Sequence, residues 1–387
     1  MTTTGWKAGL EDVIAARSAV CTIDGGAGRL YYRGYEIGDL VAHAAFEDVT
    51  YLLWFGELPG PGPSGFRARL AATRDLPGPL VALLRTLPRD AHPLDALRTA
   101  VSFAATLDPD RGAPVSDRDA NVRKSLRLMT LVPGTVAAWQ RLRIGHEPVA
   151  PTSQGSHAEH FLAMLGGGQM PAPDAVRLLD VVLTLHADHE FNASTFAARV
   201  AVATLADLHA AVVAAVATLK GPRHGGANED VLLMLKEIGD PARARAYVEA
   251  RLGGRDALSK AERGDPKARV PGFGHRVYRV DDARARVLRG MAKSVAATTG
   301  RTRLFEVAER VYETMRARTD LPVNVDFFSA VVYDALDIPP DLCTSIFAVG
   351  RVAGWCAHAL EQYADNRLIR PRADYIGLAP RPIVSAA

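Results

Sequence analysis

A short stretch near the middle of the chain, LHADHEFNAST at 185–195, carries side chains that suit acid, base or metal chemistry: His186, Asp188, His189 and Glu190. Histidines three residues apart share one face of a helix, so His186 and His189 can hold a zinc ion with a third, distant ligand. However, the stretch matches neither HExxH nor HxxEH, and His186 and Asp188 would face different sides of a helix. A metal site, an acid/base pair and a polar helix end therefore stay open, and the polar helix end is favoured for the stretch taken alone.

Two more histidines lie in glycine-rich loops. In KGPRHGGANED, His224 precedes Gly225 and Gly226 at the predicted amino end of an amphipathic helix, where the helix dipole favours a neutral imidazole. In RVPGFGHRVYR, His275 follows a Gly-Phe-Gly turn and precedes several arginines. Glycine lets the backbone approach a ligand closely, and arginine binds anions. Each loop alone fits a solvated surface turn as well as it fits a binding site.

A lone carboxylate, Asp326, stands in the apolar segment NVDFFSA. Desolvation in such a segment raises the pKa of a carboxyl group towards that of a useful general base. The alternative is a helix N-cap, because aspartate is common just before a helix. The segment itself does not decide between a base and a cap.

The elements that must position these groups are mostly helical. Apolar residues recur at spacings of three and four in LVALLRTL, SLRLMTLVPGTVAAWQRLR, AVRLLDVVLTLHADHE, STFAARVAVATLADLHAAVVAAVATLK and DLCTSIFAVGRVAGWCAHALEQY. Several of these segments are apolar on nearly every side, which predicts helices buried within a bundle. The persuasive strand signal is CTIDGGAGRLYYRG, where Gly25, Gly26 and Gly28 can turn a short hairpin. We therefore expect an all-α fold with one small β element.

Composition bounds the functional class. A chain of 387 residues with 48% hydrophobic residues can bury a large core, most simply in two domains. The net charge is only +3, and the chain has no long run of like charges, so neither nucleic acid nor a membrane is the expected partner. The amino end has no basic segment followed by an apolar one, which predicts a cytoplasmic protein. Cys21, Cys343 and Cys356 show no CxxC spacing, which favours buried thiols over disulfides.

The motifs together resemble the citrate synthase family over nearly the whole chain. In order, they are GLEDVIAARSAVCTIDGGAGRLYYRGYEIGDL, AHPLDALRTAVS, LHADHEFNASTF, LKGPRHGGANE, VPGFGHRVYR, NVDFFSAVVYDAL, FAVGRVAGWCAHALEQ and RLIRPRADYIG. The resemblance implies an enzyme that condenses acetyl-CoA with oxaloacetate and then hydrolyses the thioester of citryl-CoA. It implies neither a metal nor a cofactor, since the CoA thioester is a substrate.

The resemblance also implies roles for the catalytic groups. Asp326 matches the base that removes a proton from the acetyl-CoA methyl group, and His224 matches the neutral donor to the thioester oxygen. His275 matches the histidine that polarises the oxaloacetate carbonyl. Ser194 matches the residue that fixes the tautomer of His224.

Substrate contacts are implied by the same resemblance. The residues that match oxaloacetate-binding positions are His189, Arg284, Arg351 and Arg370, the last donated by the neighbouring subunit of a homodimer. Arg279 and Asn324 match contacts to CoA. The opening stretch then becomes a helix end that presents His189 to a dicarboxylate.

Two local departures from the family pattern accompany these matches. Val323 separates proline from Asn324 in LPVNVD, and the arginine motif reads DAR at 282–284 where DPR is commoner.

The family fold implies a small domain over residues 225–334 that closes on a large domain of residues 1–224 and 335–387. Three alternatives remain: a 2-methylcitrate synthase that uses propionyl-CoA, an inactive relative that serves as a binding protein, and a helical metalloprotein. The inactive relative is disfavoured because no member of the acid/base set is missing from the sequence.

Overall fold

The computed structural model describes residues 7–11, 13–60, 65–152, 154–253 and 269–382. Within these ranges the chain is mostly helical and has one small antiparallel sheet, as the apolar spacing predicts. The strands are β1 (Cys21–Asp24), β2 (Arg29–Tyr32) and β3 (Tyr35–Glu36). The helices are α1 (Ile37–His43), α2 (Phe46–Phe55), α3 (Gly65–Ala71), α4 (Gly78–Thr86), α5 (Pro93–Leu107), α6 (Arg118–Arg143), α7 (His157–Leu165), α8 (Pro173–His186), α9 (Ala193–Ala203), α10 (Leu208–Leu219), α11 (Ala227–Ile238), α12 (Pro241–Leu252), α13 (Ala283–Thr299), α14 (Thr302–Arg318), α15 (Val325–Ala335) and α16 (Cys343–Ala364). Short 3₁₀ turns cover Ala8–Leu10 and Pro340–Leu342.

The predicted hairpin is confirmed, and a third short strand extends it. β1 pairs antiparallel with β2, so that Cys21 lies opposite Tyr32 and Ile23 opposite Leu30. β3 then pairs with β2 on its other edge. Leu30 and Tyr32 are fully buried, because alternate side chains of β2 face the helical core. Strand β2 therefore attaches the sheet to the helical core.

Helix α16 runs through the centre of the core. Nearly every residue of this helix is buried, and it packs against α6, α8, α9 and α10. A helix that is apolar all round must be covered on every side, so the predicted bundle is confirmed. The three cysteines are free and buried, also as expected.

Two predicted helices end earlier than their apolar patterns do. α8 ends at His186, so the predicted helix does not reach Glu190, which has a positive φ of 50°. The long pattern over 194–220 divides into α9 and α10. Leu205 adopts a φ of 67° between them, and the Asp207 side chain accepts hydrogen bonds from His209 N and Ala210 N to start α10. Caps and left-handed residues therefore override the apolar spacing at both points.

The helices between 225 and 334 pack largely on one another: α13 on α15, α12 on α14, and α11 on α15. The division of the chain into a large and a small domain stays a prediction. Within the described ranges, no helix combines the length and the apolar character that a membrane span requires.

Candidate active site

The turn after α8 is supported by the small sheet. The Tyr32 hydroxyl donates to Asp188 O at 2.8 Å and accepts from Asp188 N at 3.1 Å. The backbone N–H of Ile23 donates to a Glu190 carboxylate oxygen at 2.9 Å. Two strands from the amino end of the chain therefore contact the residues on either side of His189, Asp188 through its backbone and Glu190 through its side chain.

Helix α16 also contacts this turn. Gly354 N donates to Ala187 O at 3.0 Å. A Cβ atom at position 354 would lie 2.2 Å from Ala187 O and 2.5 Å from a carboxylate oxygen of Asp188, so only glycine fits. One turn earlier in α16, Arg351 Nε donates to His186 O at 2.6 Å. These contacts bring Arg351 beside the turn that carries His189.

His189 and Arg351 present unpaired polar atoms. Among the described residues, His189 Nε2 and both terminal nitrogens of Arg351 are buried without a hydrogen-bond partner. Burial lowers the pKa of Arg351 to about 10, so its guanidinium is still charged at neutral pH. Burial, and then the charge of Arg284, hold the pKa of His189 well below its usual value. A charged fork beside a neutral imidazole suits a carboxylate ligand.

Arg284 is oriented by a carboxylate, Asp282, for which the sequence predicted no role. Its Nε donates to one oxygen of Asp282 at 3.0 Å, and its Nη2 donates to the other at 2.7 Å. Both side chains are buried. Asp282 is also the N-cap of α13, and its place two residues before Arg284 is the sequence signal that could have revealed the pair. Because Asp282 occupies one edge of the guanidinium, Arg284 offers a substrate its Nη1 edge rather than its whole fork.

His275 is held in one tautomer. Its Nδ1 accepts from Val277 N at 2.9 Å and from Tyr278 N at 3.0 Å. Backbone N–H groups only donate, so the imidazole proton lies on Nε2. Burial lowers the pKa of His275 to about 4, which makes it a neutral donor at physiological pH. Its ring lies edge-on to that of His189, with 5.2 Å between the ring centroids.

His224 is held in the opposite tautomer. Its Nε2 accepts from Ser194 N at 3.2 Å and lies 2.8 Å from Ser194 Oγ, so its proton lies on Nδ1. Ser194 Oγ accepts from Trp355 Nε1 at 3.2 Å, and its single proton is available to His224 Nε2 or to Asn192 Oδ1, each 2.8 Å away. Burial, and then the charge of Arg351, lower the pKa of His224 to about 4. Ser194 was predicted from the sequence, whereas the bond from Trp355 is visible only in the fold.

Asp326 is not the N-cap of its helix. Asn324 caps α15, and its side-chain oxygen accepts from Asp326 N at 3.1 Å. Asp326 is half-buried, and its pKa is raised to about 7 by burial, against the opposing charge of Arg284. A carboxylate that titrates near neutrality is suited to proton abstraction.

A metal ion is a poor fit for these groups. Within the described ranges, one set of ligand atoms lies close enough to hold an ion: those of His189, His275 and Asp282, within 4.8 Å of one another. However, both Asp282 oxygens accept from Arg284, whose positive charge opposes a cation. His186, the other member of the zinc pair considered for the opening stretch, is not in this set, and its Nε2 bonds to the Tyr333 hydroxyl at 2.8 Å.

Comparison with known proteins identifies the family. Residues 9–372 match the citrate synthase C-terminal domain. The chain belongs to the citrate synthase family. It is 44% identical to citrate synthase 2 of Bacillus subtilis, over 95% of each chain. It is also 37% identical to a 2-methylcitrate synthase of Shewanella oneidensis, over 98% of this chain and 97% of that one.

A solved citrate synthase shares the fold. The enzyme of Thermoplasma acidophilum, in a ternary complex with carboxymethyl coenzyme A and oxaloacetate, is 31% identical, and the alignment covers 97% of each chain with a TM-score of 0.87. The predicted all-α class is therefore that of a citrate synthase.

The two departures from the usual family pattern are accommodated locally. Val323 N donates to an Asp281 carboxylate oxygen at 3.1 Å, a bond that proline could not make. Ala283 stands at the first position of α13, where alanine and proline are both well tolerated.

Of the family residues expected to bind CoA or to act from a neighbouring subunit, two are exposed and one lies beside Asp326. Arg279 is exposed, and its backbone N–H donates to Gly25 O at 2.9 Å. Arg370 is exposed in the described tail beyond α16, which has no helix or strand up to residue 382. The same tail exposes Tyr375 and Ile376. Asn324 is half-buried beside Asp326.

Proposed function

We propose that the protein condenses acetyl-CoA with oxaloacetate and hydrolyses the resulting citryl-CoA to citrate and CoA. The observation that carries this proposal is a carboxylate with a pKa near 7, Asp326, in the same cluster as two neutral histidines whose protons lie on opposite ring nitrogens. A base and two neutral donors are the set required to form an enol and add it to a carbonyl.

The first step is proton abstraction from carbon. Asp326 takes a proton from the methyl group of the thioester, and the Nδ1–H of His224 stabilises the oxygen of the resulting enol. The enol carbon then attacks the oxaloacetate carbonyl, which the Nε2–H of His275 polarises and protonates. Water finally hydrolyses the thioester. No cofactor takes part in this sequence.

The dicarboxylate is held by cations and an imidazole. Arg351 supplies an unpaired guanidinium fork, Arg284 its Nη1 edge, and His189 its Nε2 atom. The solved relative that binds oxaloacetate and a CoA analogue supports this class of substrates. Arg279 is proposed to contact the CoA phosphates, and closure of residues 225–334 over the rest of the chain is proposed to exclude water. The cytoplasmic location stays a prediction.

A second candidate is the condensation of propionyl-CoA to 2-methylcitrate. The likeness to the Shewanella oneidensis enzyme favours keeping it. One methylene changes kcat/KM by only about 10- to 200-fold in a hydrophobic pocket, so both substrates must be measured. Release of free CoA from acetyl-CoA and propionyl-CoA, in parallel and with oxaloacetate as acceptor, tests the proposal. A higher kcat/KM for propionyl-CoA would replace it with the second candidate, and no release from either would refute both.

We also propose a homodimer in which Arg370 acts in the partner's site. Its support is the exposed tail, whose apolar side chains have no cover within the described chain. The test mixes subunits carrying His224→Ala with subunits carrying Arg370→Ala. If Arg370 acts across the interface, each hybrid dimer has one intact site, and about half of the wild-type activity returns. Differently tagged subunits, co-expressed and purified in tandem, provide the hybrid. A hybrid as inactive as its parents would contradict the shared site.

A further inference from the structure

The backbone segment before His275 is bonded to the segment before Asp326. Phe273 and Val323 pair as an isolated antiparallel β-bridge. Gly274 N donates to Pro322 O at 2.8 Å on one side of this pair. We call residues 272–274 and 322–324 the catalytic bridge, since each strand ends within two residues of a catalytic side chain.

Asn324 bonds to both strands of the catalytic bridge. Its backbone N–H donates to Gly272 O at 3.0 Å. Its side-chain Nδ2 donates to Gly274 O at 3.1 Å, directly before His275. Its Oδ1 accepts from Asp326 N at 3.1 Å. One amide therefore spans the short gap between the backbones that carry the two catalytic groups.

The nitrogen bond is more than helix capping requires. A cap needs only a side-chain oxygen that accepts from the first turn, which serine and aspartate also supply. The Nδ2 bond to Gly274 O needs a donor at the same time, at a second atom. Ionised aspartate has no donor, and serine has a single oxygen that cannot occupy both positions. The packing leaves little freedom here, since a Cβ at Gly272 would lie 2.6 Å from a ring carbon of Phe327.

We propose that Asn324 is a positioning residue that sets the separation of His275 and Asp326, rather than a contact to CoA. The inference rests on the proposed function, because that function makes the two residues act on the two carbons that become bonded. Asp326 handles the carbon that attacks, and His275 handles the carbonyl that is attacked. A displacement of about 1 Å between reacting groups costs as much as about 10²-fold in rate, while binding can be unchanged.

The test is Asn324→Ser, which keeps the cap and removes the bond to Gly274 O. We expect kcat to fall about 10- to 100-fold, with KM for acyl-CoA and for oxaloacetate within about 2-fold of wild type. The matched control is Asp117→Ser at the N-cap of α6, where the side chain accepts from Ala120 N and has no part in the proposed chemistry; its kcat should equal that of wild type. Asn324→Asp, a strong cap without the donor, should show the same loss of kcat and covers the case in which the serine variant folds poorly.

The outcomes separate the two proposals. A wild-type protein that releases no CoA refutes the proposed function and the inference with it. An active wild type with an equally active Asn324→Ser variant overturns the inference alone. A variant with a raised KM for acyl-CoA and an unchanged kcat also overturns it, in favour of a direct CoA contact.

Discussion

The two sides of the candidate site hold their functional groups in different ways. On the oxaloacetate side, His189 is 7% exposed and Arg351 is 1% exposed, and both are fixed by α16 and by the turn after α8. On the acyl side, His224 lies in the turn between α10 and α11 and Asp326 in the first turn of α15, and both are half-buried. The first side is desolvated before any ligand arrives, whereas the second depends on a few local hydrogen bonds.

This difference assigns distinct consequences to substitutions on the two sides. Substitutions on the buried side should weaken binding of the dicarboxylate, because they remove the Arg351 guanidinium or the His189 imidazole, which are already in place to bind it. Changes on the acyl side should lower kcat, because they move or remove groups that act only as bonds change.

The largest effect is expected from Asp326→Asn. Removal of a general base typically costs about 10²–10⁴-fold in rate. Oxaloacetate should still bind with wild-type affinity by titration calorimetry, since the carboxylate acts on the other substrate. A variant that keeps a tenth or more of the wild-type kcat would refute the role given to Asp326 and, with it, the contrast between the sides.

Arg351→Gln should have its effect on binding instead. A hydrogen bond to a charged group contributes about 1.5–3 kcal/mol, so we expect KM for oxaloacetate to rise about 10- to 100-fold. Saturating oxaloacetate should recover most of the wild-type kcat. Arg310→Gln, on the exposed face of α14, serves as a control for the loss of one arginine. If kcat falls while KM for oxaloacetate stays unchanged, the buried side has a catalytic function as well.

The pH dependence should report the acyl side alone. Asp326 must be ionised to act as a base, and its pKa is about 7, so kcat/KM should rise with pH and level off above about 7. His224 and His275, with pKa values of about 4, stay neutral over that range and add no second limb. Initial rates between pH 5.5 and about 8.5 measure the profile. A flat profile would be incompatible with Asp326 as the base.

The same pKa shift makes a prediction about stability. The pKa of Asp326 is higher in the folded protein than the ordinary value of 3.8 for an aspartate, so its contribution to stability is fully present below that value and is lost as pH rises through about 7. Asp326→Asn removes this loss. The melting temperature of the variant, relative to wild type, should therefore increase between pH 5 and about pH 8. A melting-temperature difference that stays constant over this pH range would mean that burial does not raise the pKa of Asp326.

The smallest effect is expected from Ser194→Ala. The variant loses Oγ but keeps the backbone N–H that donates to His224 Nε2, so the tautomer of His224 is retained. One hydrogen bond of about 0.5–1.5 kcal/mol corresponds to a fall of about 3- to 10-fold in kcat. A loss as large as that of Asp326→Asn would show that the hydroxyl, rather than the backbone, orients the imidazole.

The sequence predicted the groups of the candidate site better than it predicted their partners. The fold class and α16 followed from apolar spacing, since a helix buried on all sides has no polar face. The end of α8 did not, because the turn beyond it is held by Tyr32, 156 residues earlier in the chain. The buried pair of Asp282 and Arg284 was also missed, since cap sequences do not state which side chain the aspartate will meet. The periodicity of a segment reports its own burial, but not the distant residue that terminates it.

Gly354 limits which sequences can replace this one. It carries no reactive group, yet alanine there would bring a methyl carbon to 2.2 Å from the backbone oxygen of Ala187, two residues before His189. To relieve that overlap, either α16 or the turn must shift, and α16 is buried along nearly its whole length. A saturation library of this chain should therefore return position 354 among the inactivating sites, although its side chain is a hydrogen atom. A designer who varies α16 for stability should therefore keep Gly354 unchanged, together with the residues of the proposed substrate site.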